Sequence, residues 1–138
     1  MKKRKGFTLI ELLVALTIFA IFLSGPLFDI AMKMNVKVRN MNNAKMLAEE
    51  FMEKVRAYDY NSPYLADDGD TTDLDNTTNF DRTLGDTTIS GIVYTRGYNI
   101  KDKSYSNNTK TIKLHILWRD GLGSHHLSFT TVRVNSNY

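Results

Sequence analysis

The chain has no cysteine among its 138 residues and only two prolines. The first absence excludes disulfides, thiolate metal sites and cysteine nucleophiles. A G-x-S-x-G elbow, a phosphate-binding glycine loop and a recognisable pair of catalytic carboxylates are all missing too, so no common enzyme motif is present. Basic character is also absent once it is located. The formal charge is +3, but Lys2, Lys3, Arg4 and Lys5 supply four cations, and the remainder holds 14 basic against 15 acidic side chains. A general nucleic-acid-binding composition is thereby set aside.

Charge is scarcest between Phe7 and Leu23, which read FTLIELLVALTIFAIFL with Glu11 alone ionisable. Extended through Ser24, Gly25 and Pro26 to Phe28, the run is long enough as a helix to cross a hydrocarbon core about 30 Å thick. Cations before it and none within it predict a cytoplasmic N-terminus and an exported remainder. A secretory signal peptide should end in a small-residue cleavage pattern, whereas this run ends in Ser24-Gly25-Pro26. Glu11 is equally foreign to a signal peptide: a carboxylate at that depth costs about 2.5–3.5 kcal/mol to insert.

The segment Lys5-Gly6-Phe7-Thr8-Leu9-Ile10-Glu11-Leu12-Leu13-Val14-Ala15-Leu16 resembles the N-terminal signature of type IV prepilins and of type II secretion pseudopilins. That resemblance implies a prepilin peptidase that cuts between Gly6 and Phe7 and methylates the new amine of Phe7. The apolar run is then retained. It further implies other pilin or pseudopilin subunits and an inner-membrane assembly platform as partners, with the lipid bilayer as solvent for the helix. Neither a cofactor nor catalysis is expected. Glu11 reads as an assembly contact, meeting the Phe7 amine of a neighbouring subunit, because a charge left alone in low dielectric is costly. Ala44–Ala57 (AKMLAEEFMEKVRA) and the Trp118 strand followed by a glycine turn are most similar to the PilV-like minor pilins.

Beyond Phe28 apolar residues recur at helical spacing, among them Ile30, Met34, Val38, Met41, Ala44, Ala48, Phe51 and Val55. Gly25-Pro26 is expected to bend the helix rather than end it, giving one helix from Phe7 to about Tyr60; a second amphipathic helix after a break is the alternative. Residues 61–86 carry seven aspartates against one arginine and have loop composition. Asp67, Asp68, Asp70, Asp73 and Asp75 around Gly69 are weak calcium candidates, since the EF-hand spacing is not met. Phe80 and Leu84 anchor the loop's end or begin a short strand. From Ile89 the chain reads as strands: Ile89–Ile100, then Thr111–Arg119 with Ile112, Leu114, Ile116 and Trp118 on one face, then Leu127–Val134 after the Asp120-Gly121-Leu122-Gly123 turn. His125 and His126 face opposite ways, so at most two of His115, His125 and His126 converge, and all three read as surface or rim residues.

The expected fold is α+β: a long N-terminal helix packed on an antiparallel sheet of three or four strands. Its parts are a cleaved leader (1–6), a transmembrane and assembly half-helix (7–28), an amphipathic half (29–60), an acidic connection (61–86) and a sheet (87–138). The expected role is a minor pilin, held in the inner membrane with its head in the periplasm before it enters a pilus. A type II secretion pseudopilin is the alternative. An uncleaved membrane-anchored head that binds a ligand through the aspartates is the alternative of another class. Residues 87–138 hold seven basic and two acidic side chains, which leaves nucleic acid as a minor possibility among the partners.

Overall fold

The computed structural model describes residues 8–69, 73–103 and 107–135. One helix, α1 (Leu9–Ala57), runs through Gly25 and Pro26 without interruption, although Pro26 cannot donate to the Phe22 carbonyl. Met1–Val38 and Arg39–Tyr138 are separate compact units, each with its own environment.

In the first unit the apolar run is not covered by any of the described residues. Phe19, Phe22 and Phe28 are each more than 60% exposed. Two hydroxyls within the helix turn back on it, Thr17 Oγ1 donating to the Leu13 carbonyl at 2.8 Å and Ser24 Oγ to that of Ile21 at 3.1 Å. That self-satisfaction is what a lipid solvent requires of polar groups.

In the second unit the helix has an apolar partner. Four antiparallel strands lie in sequence order: β1 (Arg82–Ile89), β2 (Ile92–Asp102), β3 (Thr109–Asp120) and β4 (Gly123–Val134). Ala44, Leu47, Ala48, Phe51 and Val55 sit one and two turns apart on α1 and form a single buried cluster with Tyr94, Tyr98 and Ile100 of β2 and Ile112, Leu114, Ile116 and Trp118 of β3. The rings of Phe51 and Tyr98 are 4.7 Å apart between centroids. Burial pushes the Tyr98 hydroxyl up to about 12, so it remains a donor to the Tyr64 carbonyl at 2.8 Å. Exposed carbonyls at the helix C-terminus are met from β4: Arg133 donates to the Arg56 and Tyr58 oxygens at 3.3 and 2.8 Å.

Two sequence expectations need correction. The helix stops at Ala57, three residues short of Tyr60, and Ser62 then caps a 3-10 turn (Pro63–Leu65) with proline at its first position. The expected strand Ile89–Ile100 is two strands. Ser90 and Gly91 both have positive φ, 52° and 78°, the type I′ geometry that joins twisted antiparallel strands. β1 therefore begins at Arg82, inside the segment whose composition reads as loop. It is a polar edge strand with a bulge at Gly85 and shows no clean alternation.

The acidic segment crosses the face of the sheet opposite α1. Phe80 lies over Gly97, where a Cβ would come 2.1 Å from the ring, and over the His115 ring at 5.9 Å between centroids. Gly97→Ala should therefore destabilise the folded chain by about 1–3 kcal/mol, the usual cost of overpacking. In urea unfolding, most of that loss should vanish when Phe80→Ala is added; two losses that simply add would show that the ring and the glycine are not in contact.

Candidate functional site

At the start of α1, Thr8 and Glu11 form a capping box. Glu11 Oε2 accepts from the Thr8 backbone N–H and from Thr8 Oγ1, both at 2.9 Å, and the Glu11 N–H approaches Thr8 Oγ1 at 3.4 Å. The signature T-x-x-E satisfies orphan donors that no lipid could satisfy. Within its own chain, then, Glu11 has a polar partner at the helix end, beside an open apolar groove of Ile10, Val14, Ala15 and Ile18. Gly6 and Phe7, the expected processing pair, lie outside the described residues.

Of the five candidate aspartates, Asp67, Asp68 and Asp75 have described side chains. Asp67 and Asp68 come together with Asp81, their carboxylate oxygens within 4.8 Å of one another. Asp75 is ion-paired with Lys113 instead, while Asp70 and the Asp73 side chain lie outside the described residues. The reason is the end of β1. Pairing between β1 and β2 stops at Arg82 and Tyr98, which leaves the N–H groups of β2 beyond it facing no strand. Asp81 Oδ2 accepts from Ile100 N at 2.7 Å and Asp67 Oδ2 from Asp102 N at 2.9 Å. Asn99, fully buried, adds a third tie, its amide donating to the Asn76 carbonyl at 2.8 Å. These carboxylates cap a sheet edge. Charge complementarity between the acidic segment and the basic strands is realised within the chain, through Asp75 and Lys113.

The histidines divide between the two faces of the sheet. On the α1 face, His125 Nε2 lies 2.9 Å from Asp120 Oδ1, and the Asn40 amide donates to Asp120 Oδ2 at 2.7 Å. The Asp120 side chain is only 2% exposed. Burial alone would raise its pKa, but hydrogen bonds from Asn40, His125 and the Leu122 N–H outweigh burial and hold it at about 2. The opposite face brings His115 and His126 together at 2.9 Å between Nδ1 and Nε2. Two of the three converge, as expected, yet His115 is no rim residue: it is wholly buried beneath the acidic segment. No sequence pattern announces this burial, because the alternation of β3 places His115 on its polar face.

Asp120 makes a pH prediction whose sign follows from linkage. Its folded pKa lies below the ordinary 3.8, so the stability it contributes is present above about pH 4 and lost as pH falls toward 2. Thermal melting between pH 5 and pH 2 should show that slope, and Asp120→Asn should be less stable at pH 5 and flatter across the range. An unchanged slope in the variant would place the acid sensitivity elsewhere.

Residues 1–25 match the family model of the prokaryotic N-terminal methylation motif. No curated protein and no solved structure matches the chain. The matched residues hold the basic leader, Gly6, Phe7, the Thr8–Glu11 cap and most of the exposed apolar run. An N-terminal methylation motif leading a long apolar helix, with that helix packed farther along on a four-stranded antiparallel sheet, supports a pilin-like or pseudopilin protein.

Proposed function

We propose that the chain is a minor pilin: made as a prepilin, cut between Gly6 and Phe7 by a prepilin peptidase, methylated on Phe7 and built through α1 into a type IV pilus. Before assembly it resides in the inner membrane with its N-terminus cytoplasmic and its head periplasmic. The observation that carries this reading is the apolar run from Leu9 to Phe28, exposed throughout and led by the methylation motif. So large an unpartnered apolar surface needs lipid first and other apolar helices afterwards. Removing the leader takes four cations away and leaves Glu11 close to a new amine. In an array of such helices Glu11 of one subunit pairs with the Phe7 amine of the next and sets the register. The PilV-like kinship of Ala44–Ala57 favours a minor subunit. Gly25-Pro26 supplies the place where the helix yields during packing.

A pseudopilin of type II secretion uses the same processing, and gene neighbourhood separates the two: a retraction ATPase accompanies a pilus, a full secretion operon accompanies export. A ligand-binding head is disfavoured by the work that Asp67 and Asp81 already do on the edge of β2.

Intact mass and N-terminal peptide sequencing of the protein from its own membranes should give a chain that starts at methylated Phe7. A mature chain that keeps Met1 or Lys2 beside a working prepilin peptidase would refute the proposal. Capping and assembly are separable as well. Glu11→Gln removes the charge and should lower recovery in sheared filaments by more than about tenfold, because an uncompensated partner charge in low dielectric costs several kcal/mol. Thr8→Ala removes only a cap worth about 1 kcal/mol and should leave recovery within a few fold. Equal losses in the two variants would make Glu11 a helix cap and nothing more.

A further inference from the structure

The segment Leu74–Phe80 rests on the sheet through His115. His115 Nε2 lies 2.7 Å from the Leu74 carbonyl, which can only accept, so this nitrogen carries the ring proton. Nδ1 is then bare and accepts from His126 Nε2–H across 2.9 Å. The centroids of the two rings are 5.1 Å apart and their planes differ by 17°, as for a shared N–H···N contact. Phe80 covers the same ring from above.

The charged and titratable groups around His115 are few. Asp75 comes from the 3-10 turn Asp73–Asp75, Lys113 from β3 itself and His126 from β4. From β2 the neighbouring residues Gly97 and Asn99 bring no charge. Asp75 is already occupied by Lys113.

Facing nitrogens at 2.9 Å have room for one proton between them. Because Nε2 of His126 is the nitrogen that faces His115, a proton held on its outward Nδ1 leaves the contact intact. A second must go to His115 Nδ1, where the His126 N–H already points. Two N–H groups then oppose each other and two imidazolium charges adjoin the Lys113 ammonium. His115 is wholly buried and its Nδ1 faces a donor, so the new proton gains no partner at that position. Lifting Leu74–Phe80 is what lets water reach it.

We propose that Leu74–Phe80 is an acid-released flap, latched at neutral pH by the His115–His126 pair and lifted from the sheet when both rings are protonated. The sense agrees with burial, which holds the His115 pKa below 6.5 despite the favourable Leu74 carbonyl. A base kept neutral by folding withdraws stability as pH falls below its ordinary value. Release would bare Gly97, Asn99 and His115 and free the acidic segment, so the head would present a different surface in acid.

Hydrogen exchange on the full chain in detergent micelles tests this. After correction for intrinsic rates, peptides spanning residues 74–81 should exchange at least about tenfold faster at pH 5.0 than at pH 7.5, the change equivalent to one pKa unit of coupling. Peptides from Ala44–Val55, buried on the other face, should hold their protection and so exclude global unfolding. His115→Gln keeps a donor for Leu74 and an acceptor for His126 without titrating, and should leave the segment closed at both pH values. Should that variant fail to fold, His126→Gln retains a donor to His115 and removes the second charge, and release should move to lower pH. An acid-insensitive segment in the wild-type chain, or undiminished acid release in the substituted chain, would overturn the proposal.

Discussion

Phe51, seated between Leu47 and Val55 on α1 and against Tyr98 of β2, stands at the centre of the contact that organises the head. Among the described residues the sheet's buried apolar side chains all lie on one face, so without this stripe of α1 that face would be open to water. Covering it fixes the register of all four strands, because a one-residue slip would turn Tyr94, Tyr98, Ile112, Leu114 and Ile116 away from the helix. Everything on the opposite face follows. Once alternation sends the apolar residues of β3 toward α1, Lys113 and His115 must face the other way, and the acidic segment closes over them.

One helix thus serves two solvents. Between Ala44 and Val55 its apolar residues form a stripe and are answered by the sheet. Between Leu9 and Phe28 they surround the helix and, among the described residues, are answered by nothing. The capping box at Thr8 and Glu11 and the inward-bonded hydroxyls of Thr17 and Ser24 show the same economy at its start, with these polar groups satisfied within the helix itself. Glu11 thereby closes its own helix through Thr8.

The acidic segment is a lesson in reading composition. Seven aspartates in 26 residues invite a cation. In the folded chain Asp67 and Asp81 act in place of a strand that ends too soon, Asp75 anchors to Lys113, and Asn99 is buried as a link. The need for these caps arises where β1 stops, and nothing local in the acidic stretch records that position.

Periodicity and hydropathy were sufficient for the apolar helix, the amphipathic stripe, the faces of β3 and the Asp120–Gly123 turn, because each depends on neighbours within a few residues in sequence. The N-terminal motif was legible for the same reason: leader, Gly6, Phe7 and Glu11 are contiguous. Tertiary structure alone decided the start of β1 at Arg82, whose polar residues gain strand geometry only by pairing with β2. It also decided the union of Asp67 and Asp68 with Asp81, which partners His125 and His126 meet on their opposite faces, and the burial of His115. Those outcomes rest on contacts between residues from about ten to forty positions apart, and such contacts exist only after α1 has covered one side of the sheet and left the other to be closed by the chain's own acidic crossing.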